Sequence, residues 1–461
     1  MSGNNSSRER LSELKGIIRK LLQEKFDNWV IKADLKLDNQ IRFSESQIDI
    51  DKNWNELRFD LFLSKNRRTL EISLSDLRKE AIEETLTQCD KLLDSAKKNR
   101  FFKRLPEGPF SYDDDIRNKI FDKKVLNLEE DSINLVKKAT EHALKEGAKR
   151  VAGSFFFGGT EHYLETSKGI EENYKDTHLN FRIRAFAEDM YATGESLTVS
   201  THLDVDFDPL KAGKEAGEIC RKAINGKKGE PGIYNIIIYP KVSTELQAPT
   251  PAIAMNRYVK KMGLSWLAGK REGDKIGTDL ITVYDDGKVP YGLSSSPYDD
   301  EGFPTSRTLL IEKGVIKNYF RNISLSRRKE KSTGNAGITM PKPTNTLFMP
   351  GDCTLEELME ISEKPTLLIT STWYTRYQSY VPPGRFSSLP KDGMFLIKKR
   401  GRELEPVREL RINSNHYEML ENTIALGNTT KQVTTWLSAS DNTVFAPFFL
   451  IKDIKMTTGT K

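Results

Sequence analysis

The spacing of apolar residues changes period after Phe26, and that change constrains the fold more than any other feature. Leu11, Leu14, Ile17, Ile18, Leu21 and Leu22 recur at helical spacing and predict an amphipathic helix from about Ser7 to Phe26. Trp29, Ile31, Ala33 and Leu35, and later Leu57, Phe59, Leu61 and Leu63, fall on every second residue instead. Period two is the pleat of a half-buried strand. A further helix is expected through Leu77 to Leu93, starting near Ser75, where Asp76 also helps to cap it. Residues 1–95 therefore read as an α/β unit of helix, strands and helix.

Residues 96–127 are charged and carry Pro106, Pro109 and the run Asp113 to Asp115, the composition of a loop-rich connection. Over 128–230 the pattern is a central β-meander with helices. Ser132 is expected to cap a helix that stops at Gly147. Extended runs follow at 150–157, 180–188 and 197–203, with Gly158-Gly159 read as a hairpin. Asp208-Pro209 then opens a helix to about Asn225, with proline at its tolerated first-turn position. Residues 231–461 are β-rich. Asp285-Asp286-Gly287 and Glu312-Lys313-Gly314 read as hairpin turns. Cys353 to Ser362 reads as a helix in which Thr354 and Glu357 form a capping box. The expected class is α+β: an N-terminal α/β unit followed by a β-rich C-terminal unit, a twisted sheet or open barrel.

Composition narrows the function. A chain of 461 residues calls for two or three structural units. The net charge of +6 is small against 72 basic and 66 acidic side chains, and mixed signs create no steering field for nucleic acid. Three distant cysteines, Cys89, Cys220 and Cys353, imply no disulfide framework. No stretch approaches the roughly 20 apolar residues that span a bilayer. The expectation is a cytoplasmic protein that binds neither nucleic acid nor membrane. Among the five histidines no two are near neighbours, and H-E-x-x-H is absent. His202, beside Asp204 and Asp206, is the best metal candidate, although an acidic loop at a strand end reads better.

The residues after 275 carry the strongest signal. They run Ser295-Ser296-Pro297-Tyr298-Asp299-Asp300-Glu301-Gly302, then Arg307-Thr308-Leu309-Leu310-Ile311-Glu312-Lys313-Gly314-Val315, then Ser332-Thr333-Gly334-Asn335-Ala336. Gly384-Arg385-Phe386-Ser387 follows, and then Arg402 to Pro406. This order resembles the TldD/PmbA family of metallopeptidase assemblies, with its D-D/S-E-G turn, its R-T-x-x-I-x-x-G-V strand pair, its S-T-G-N/H-A loop and its T-G-x-F-S segment. Glu165-Thr166-Ser167-Lys168-Gly169 is similar, more weakly, to the family's N-S-x-G turn.

The resemblance implies two subunit types, of which one carries H-E-x-x-x-H on a helix and a cysteine ligand near the C-terminus. Here Ala248, Pro249 and Ile253 stand where the two histidines and the glutamate would be, and Ser440-Asp441-Asn442-Thr443 occupies the region of the C-terminal C-G-K pattern. The resemblance therefore implies a PmbA/TldE-like, non-catalytic subunit without a cofactor of its own. Its zinc would lie in a TldD-like partner subunit, and its substrates would be unfolded or short peptides. The alternatives are an active metallopeptidase with a cryptic metal site and a stand-alone homodimeric peptide-binding protein. Candidate peptide-contacting residues are Asp299, Asp300, Glu301, Gly302, Ser332, Thr333, Gly334 and Asn335. Carboxylates can receive a peptide's amino end or amides, and glycines let a backbone approach closely. The competing reading is that both segments are turns, where these residue types also dominate.

Overall fold

The computed structural model describes residues 2–189, 191–361, 364–398, 401, 403–435 and 443–458. Its N-terminal part contains α1 (Ser2–Lys25), β1 (Asn28–Ser44), β2 (Gln47–Lys65), β3 (Arg68–Leu74), α2 (Lys79–Ser95), α3 (Asp114–Lys119), α4 (Glu129–Lys145), β4 (Arg150–Thr166), β5 (Glu171–Phe186), β6 (Thr193–Ser200) and α5 (Pro209–Lys222). The six strands form one antiparallel sheet in the order β3-β2-β1-β4-β5-β6. Because β1 pairs with β4, residues 1–95 and 128–230 build a single sheet. The connection at 96–127 links its two halves and includes α3.

The alternation at Trp29–Leu35 has its expected result. Ile31 and Ala33 of β1, with Phe59, Leu61 and Leu63 of β2, pack against Leu11, Leu14, Ile18 and Leu22 of α1 and Ile82, Leu86 and Leu93 of α2. At the other end Phe155, Phe181 and Ile183 pack against Val136 and Ala139 of α4 and Ala212 and Ala216 of α5. Each fully buried Leu, Ile or Phe side chain stabilises by ~1.5–3 kcal/mol, so the helices fix one face of the sheet firmly. The opposite face carries the even-numbered residues of β1.

Among the described residues the C-terminal part contains two further sheets and no closed barrel. One is six-stranded, in the order Val315–Ile316, Arg307–Glu312, Val283–Asp286, Asn345–Phe348, Thr443–Ala446, Lys431–Val433. The other is ten-stranded and centred on Gly232–Ile238, which lies between Phe449–Thr458 and Thr366–Ile369. Their facing apolar side chains, among them Ile236, Ile238, Val283, Ile311, Phe348, Ile369 and Phe449, form the largest core.

Several local expectations hold. The Asp208 side chain accepts from the Lys211 N–H at 2.9 Å and caps α5. The Thr354 N–H donates to Glu357 Oε2 at 2.7 Å, and the Glu357 N–H returns to Thr354 Oγ1 at 3.2 Å; this capping box opens the helix Leu355–Ile361. Lys313 and Gly314 have φ of +46° and +73° and turn the chain between Arg307–Glu312 and Val315–Ile316.

Others are corrected. Helix α2 begins at Lys79, because Asp76 spends its carboxylate on the Arg78 N–H and guanidinium. Ser132 lies inside the first turn of α4, with its hydroxyl on the Glu129 carbonyl. Gly158-Gly159 is the interior of β4, not a hairpin. A Cβ at Gly158 would stand 2.1 Å from the Leu37 carbonyl oxygen, so close approach of β1 explains the glycine. Asp285 and Asp286 are paired strand residues with neighbours on both sides, not a turn. Arg402, Ser362 and Ser440-Asp441-Asn442 lie outside the described residues.

Candidate functional site

The even residues of β1, Lys32, Asp34, Lys36 and Asp38, project from the sheet face that the helices leave uncovered. Antiparallel register places a cross-strand row beside each. Asp34 is opposite His162, itself opposite Tyr174; Lys36 is opposite Thr160 and then Asp176; Asp38 is opposite Gly158 and then His178. Such rows put side chains within interaction distance. His162 Nδ1 is 2.8 Å from Asp34 Oδ1, its Nε2 is 2.9 Å from Asp176 Oδ2, and Tyr174 stacks on the ring at 4.4 Å. Burial opposes protonation of His162, but the carboxylates of Asp176 and Asp34 override it and push the imidazole up to about 9. His178 differs. Burial dominates and lowers its pKa, although Asp38 is 3.4 Å away.

The C-terminal loops roof this floor. The structure brings the two sequence-predicted segments together: Ala336 donates its N–H to Asp299 Oδ2 at 2.9 Å, and the Asp300 N–H donates to the Ala336 carbonyl at 3.0 Å. Asp299 also accepts the Glu301 and Phe303 N–H groups at 3.0 and 2.9 Å. Glu301 Oε1 accepts from Asn322, while its Oε2 has no partner among the described residues. Burial pushes both carboxyls up. Three amide donors favour Asp299 as the charged member and leave Glu301 protonated. Ser332 and Thr333 donate their hydroxyls to the Arg321 carbonyl. Gly302 (φ +80°) and Gly334 (φ +71°) occupy left-handed backbone, where a Cβ would meet Ile170 at 2.8 Å and the Pro304 carbonyl at 2.4 Å. Most of these side chains are buried and hold the loops in place; Asp300 is the one that reaches the floor. It bridges Lys32 and Lys342 at 3.1 and 3.0 Å, and those cations override burial and bring it down to about 2.

Two clefts meet at this Lys32–Asp300–Lys342 bridge. The first, about 680 Å³, lies between the sheet floor and the loops at 293–300, 334–336 and 342–344. The second, about 660 Å³, continues over Arg58, Asp60, Glu71 and Ser73 to Ala252, Ile253 and Asn256. Sequence reasoning missed the floor. Its signal was present, because the apolar odd residues of β1 leave a Lys-Asp-Lys-Asp row on the even positions.

The segment where the resemblance places a zinc helix does not fit a metal. Ser243–Leu246 is a single helical turn, followed by a wide turn at Thr250–Ala254. Ala248 and Pro249 are buried, Ile253 is half-buried, and none carries a ligating atom. His416 lies nearby, stacked on Trp266 at 4.2 Å with Nδ1 3.3 Å from the Leu246 carbonyl, and burial pushes it down to about 4. Asp204 pairs with Lys124, and His202 Nδ1 is 3.1 Å from Thr201 Oγ1, so that loop assembles no cluster around His202. No group of three or more His, Cys, Asp or Glu side chains is placed to share a metal among the described residues.

The model of the PmbA/TldA metallopeptidase C-terminal domain matches residues 231–458. The chain belongs to the PmbA/TldD family. An uncharacterized protein of Methanocaldococcus jannaschii is 28% identical over 282 residues, 58% of this chain and 61% of that protein. A metalloprotease TldD homolog of Buchnera aphidicola subsp. Schizaphis graminum is 28% identical over 164 residues, 34% of this chain and 33% of that protein. The chain thus spans less than two thirds of the length of these curated relatives. The crystal structure of TldE from Thermococcus kodakarensis superposes with a TM-score of 0.76 at 18% identity, over 96% of this chain and 99% of that one, which shows a shared fold. In this PmbA/TldD chain no helix among the described residues is long and apolar enough to cross a membrane.

Proposed function

We propose that this chain is a non-catalytic subunit of a TldD/TldE-type zinc metallopeptidase assembly in the cytoplasm, and that it holds unfolded or short peptides for a zinc-bearing TldD-like partner. One observation carries the reading. The double cleft leads to the turn around Ile253, where the family resemblance places the metal helix, yet alanine, proline and isoleucine stand at the ligand and base positions. A groove of this size with a polar floor suits an extended chain, and a wall without ligands leaves the chemistry to another subunit. The strand Thr372–Tyr377, at one edge of the ten-stranded sheet, exposes Trp373 and Tyr374 by 52% and 54%. Aromatic residues are enriched at interface cores, which supports this edge as the partner contact.

Co-expression with a zinc-bearing relative from the same cell tests the proposal. The expected result is a stable hetero-complex that cleaves unfolded peptides and loses activity on chelation, while this chain alone holds no stoichiometric zinc and cleaves nothing. One zinc per isolated chain with chelator-sensitive cleavage would establish the cryptic-metal alternative. A homodimer that binds peptide and ignores every zinc-bearing relative would establish the stand-alone binder.

A further inference from the structure

We propose that the first cleft seats the amino end of an extended peptide, its ammonium on the Asp38 carboxylate and its main-chain N–H groups on Asn335 Oδ1 and Tyr298 Oη. The inference rests on the peptide-holding reading above and adds which end of the ligand enters and what receives it.

Three residues that line this cleft each carry a buried polar atom without a hydrogen-bond partner among the described residues: Asp38 Oδ1, Tyr298 Oη and Asn335 Oδ1. Native buried polar groups are almost always paired, so unmet capacity gathered in one cleft points to a ligand or ordered water. Asn335 is 1% exposed and its orientation is fixed. Nδ2 donates to Asp285 Oδ1 at 2.6 Å and to the Lys342 carbonyl at 3.1 Å, and a flipped amide would set its oxygen against two acceptors. Oδ1 is therefore a fixed, spare acceptor. Tyr298 is 5% exposed and its ring packs edge-on against Tyr174 at 5.2 Å, beside the His162 row.

Asp38 is the least compensated carboxylate on the floor. Asp34 is held by His162, and Asp300 by Lys32 and Lys342. Among the described residues the only ion-pair contact of Asp38 is His178 at 3.4 Å, an imidazole that burial pushes towards its neutral form. Lys36, two residues along, makes no ion pair among the described residues.

Asp38 Oδ1 and Asn335 Oδ1 can only accept, and Tyr298 Oη can accept or donate, so a ligand that satisfies the first two must donate. A carboxylate would find Lys36 as the one lysine or arginine of the first cleft without an ion pair among the described residues, flanked on its own strand by Asp34 and Asp38. Over both clefts seven carboxyl groups face four lysine or arginine side chains and the His162 imidazole, which also favours a cationic ligand. From the Asp34 row to Asp38 is four residues, about 13 Å of strand, the reach of about four extended peptide residues. With its amino end at Asp38, the peptide runs towards the Lys32–Asp300–Lys342 bridge and on into the second cleft. A lysine side chain offers the same ammonium as an amino terminus, and the test separates the two.

Calorimetric titration of the full chain at neutral pH uses three probes: tetra-alanine amide with a free amino terminus, its N-acetylated form, and an N-acetylated form with one lysine. The free amine should bind about tenfold more tightly than the acetylated peptide. Asp38→Asn should abolish that preference. Tyr298→Phe should weaken both peptides several-fold while leaving the melting temperature unchanged or higher, because it removes a hydroxyl without a partner. Equal binding of the lysine and free-amine probes supports the ammonium site and shows that it takes either source, whereas tighter binding of the lysine probe overturns the assignment to an amino end. Equal binding of the acetylated and free peptides, unaffected by Asp38→Asn, overturns the ammonium site and leaves the peptide groove intact. Affinity unmoved by Tyr298→Phe overturns the assignment of Tyr298 Oη, as expected if water alone fills that place. Failure of every probe to bind at millimolar concentration overturns the groove itself.

Discussion

Floor and roof of the first cleft are built from similar residue types and use them in opposite ways. On the floor, charged side chains pair with one another across strands: Asp34 and Asp176 with His162, and Lys32 with the one roof carboxylate that reaches down. In the roof, carboxylate and amide side chains are turned back onto their own backbone. Asp299 gathers three N–H groups, and Asn335 ties Asp285 to the Lys342 carbonyl. The difference teaches that a motif rich in Asp, Ser, Asn and Gly marks first a loop that must hold its shape, and that the ligand-facing surface can lie on a plain strand opposite. Substitutions among the roof side chains that hold the loops should therefore act on stability, and substitutions on the floor on pH dependence and binding.

The strongest way to break this contrast is Asp299→Ala. It strands three N–H groups, and the cost should be about 3 kcal/mol or more, measured by urea denaturation. A loss near zero would return Asp299 to the ligand-facing set. Next is the pH dependence of the floor. The pKa of His162 is raised from 6.5 to about 9, so its contribution is full below pH 6.5 and disappears as pH rises through about 9. Stability of the parent relative to His162→Gln should therefore fall by on the order of 2 kcal/mol between those pH values. A constant difference would mean that the imidazole is neutral throughout. Asp300 has the opposite sign: its pKa is lowered from 3.8 to about 2, so its contribution is present above 3.8 and lost in acid down to about 2. Asn335→Ala removes a donor from buried Asp285 and should cost about 1–2 kcal/mol in the same denaturation assay. The smallest effect belongs to Lys36→Ala, which touches no ion pair among the described residues and should leave stability within about 0.5 kcal/mol. A larger loss would place Lys36 among the structural pairs.

The sequence was legible where local rules act alone. The α1 stripe, the alternation of β1 and β2, the Asp208 cap and the Thr354–Glu357 box follow from neighbours within a few residues, and the structure contains them. Gly158-Gly159 and Asp285-Asp286-Gly287 were misread because turn composition and close strand approach favour the same residue types. What separates them is whether another strand lies alongside, and that partner is more than a hundred residues away for Gly158. The motif loops were found by resemblance, but their burial was not visible, since polarity in a sequence says nothing of which groups turn back onto backbone.

Period and composition by themselves determined an α+β chain, the buried face of the N-terminal sheet, and the absence of ligating atoms at Ala248, Pro249 and Ile253. Those properties depend on covalent identity and on a residue's nearest neighbours along the chain. Only the tertiary structure decided that the even face of β1 becomes the floor of a cleft. Pairing β1 with β4 and laying the 299–302 and 332–336 loops over them brings together groups such as Lys32 and Asp300, which are 268 residues apart. Their charge states follow from that meeting, because burial and an opposite charge within about 3 Å outweigh anything the isolated side chain prefers.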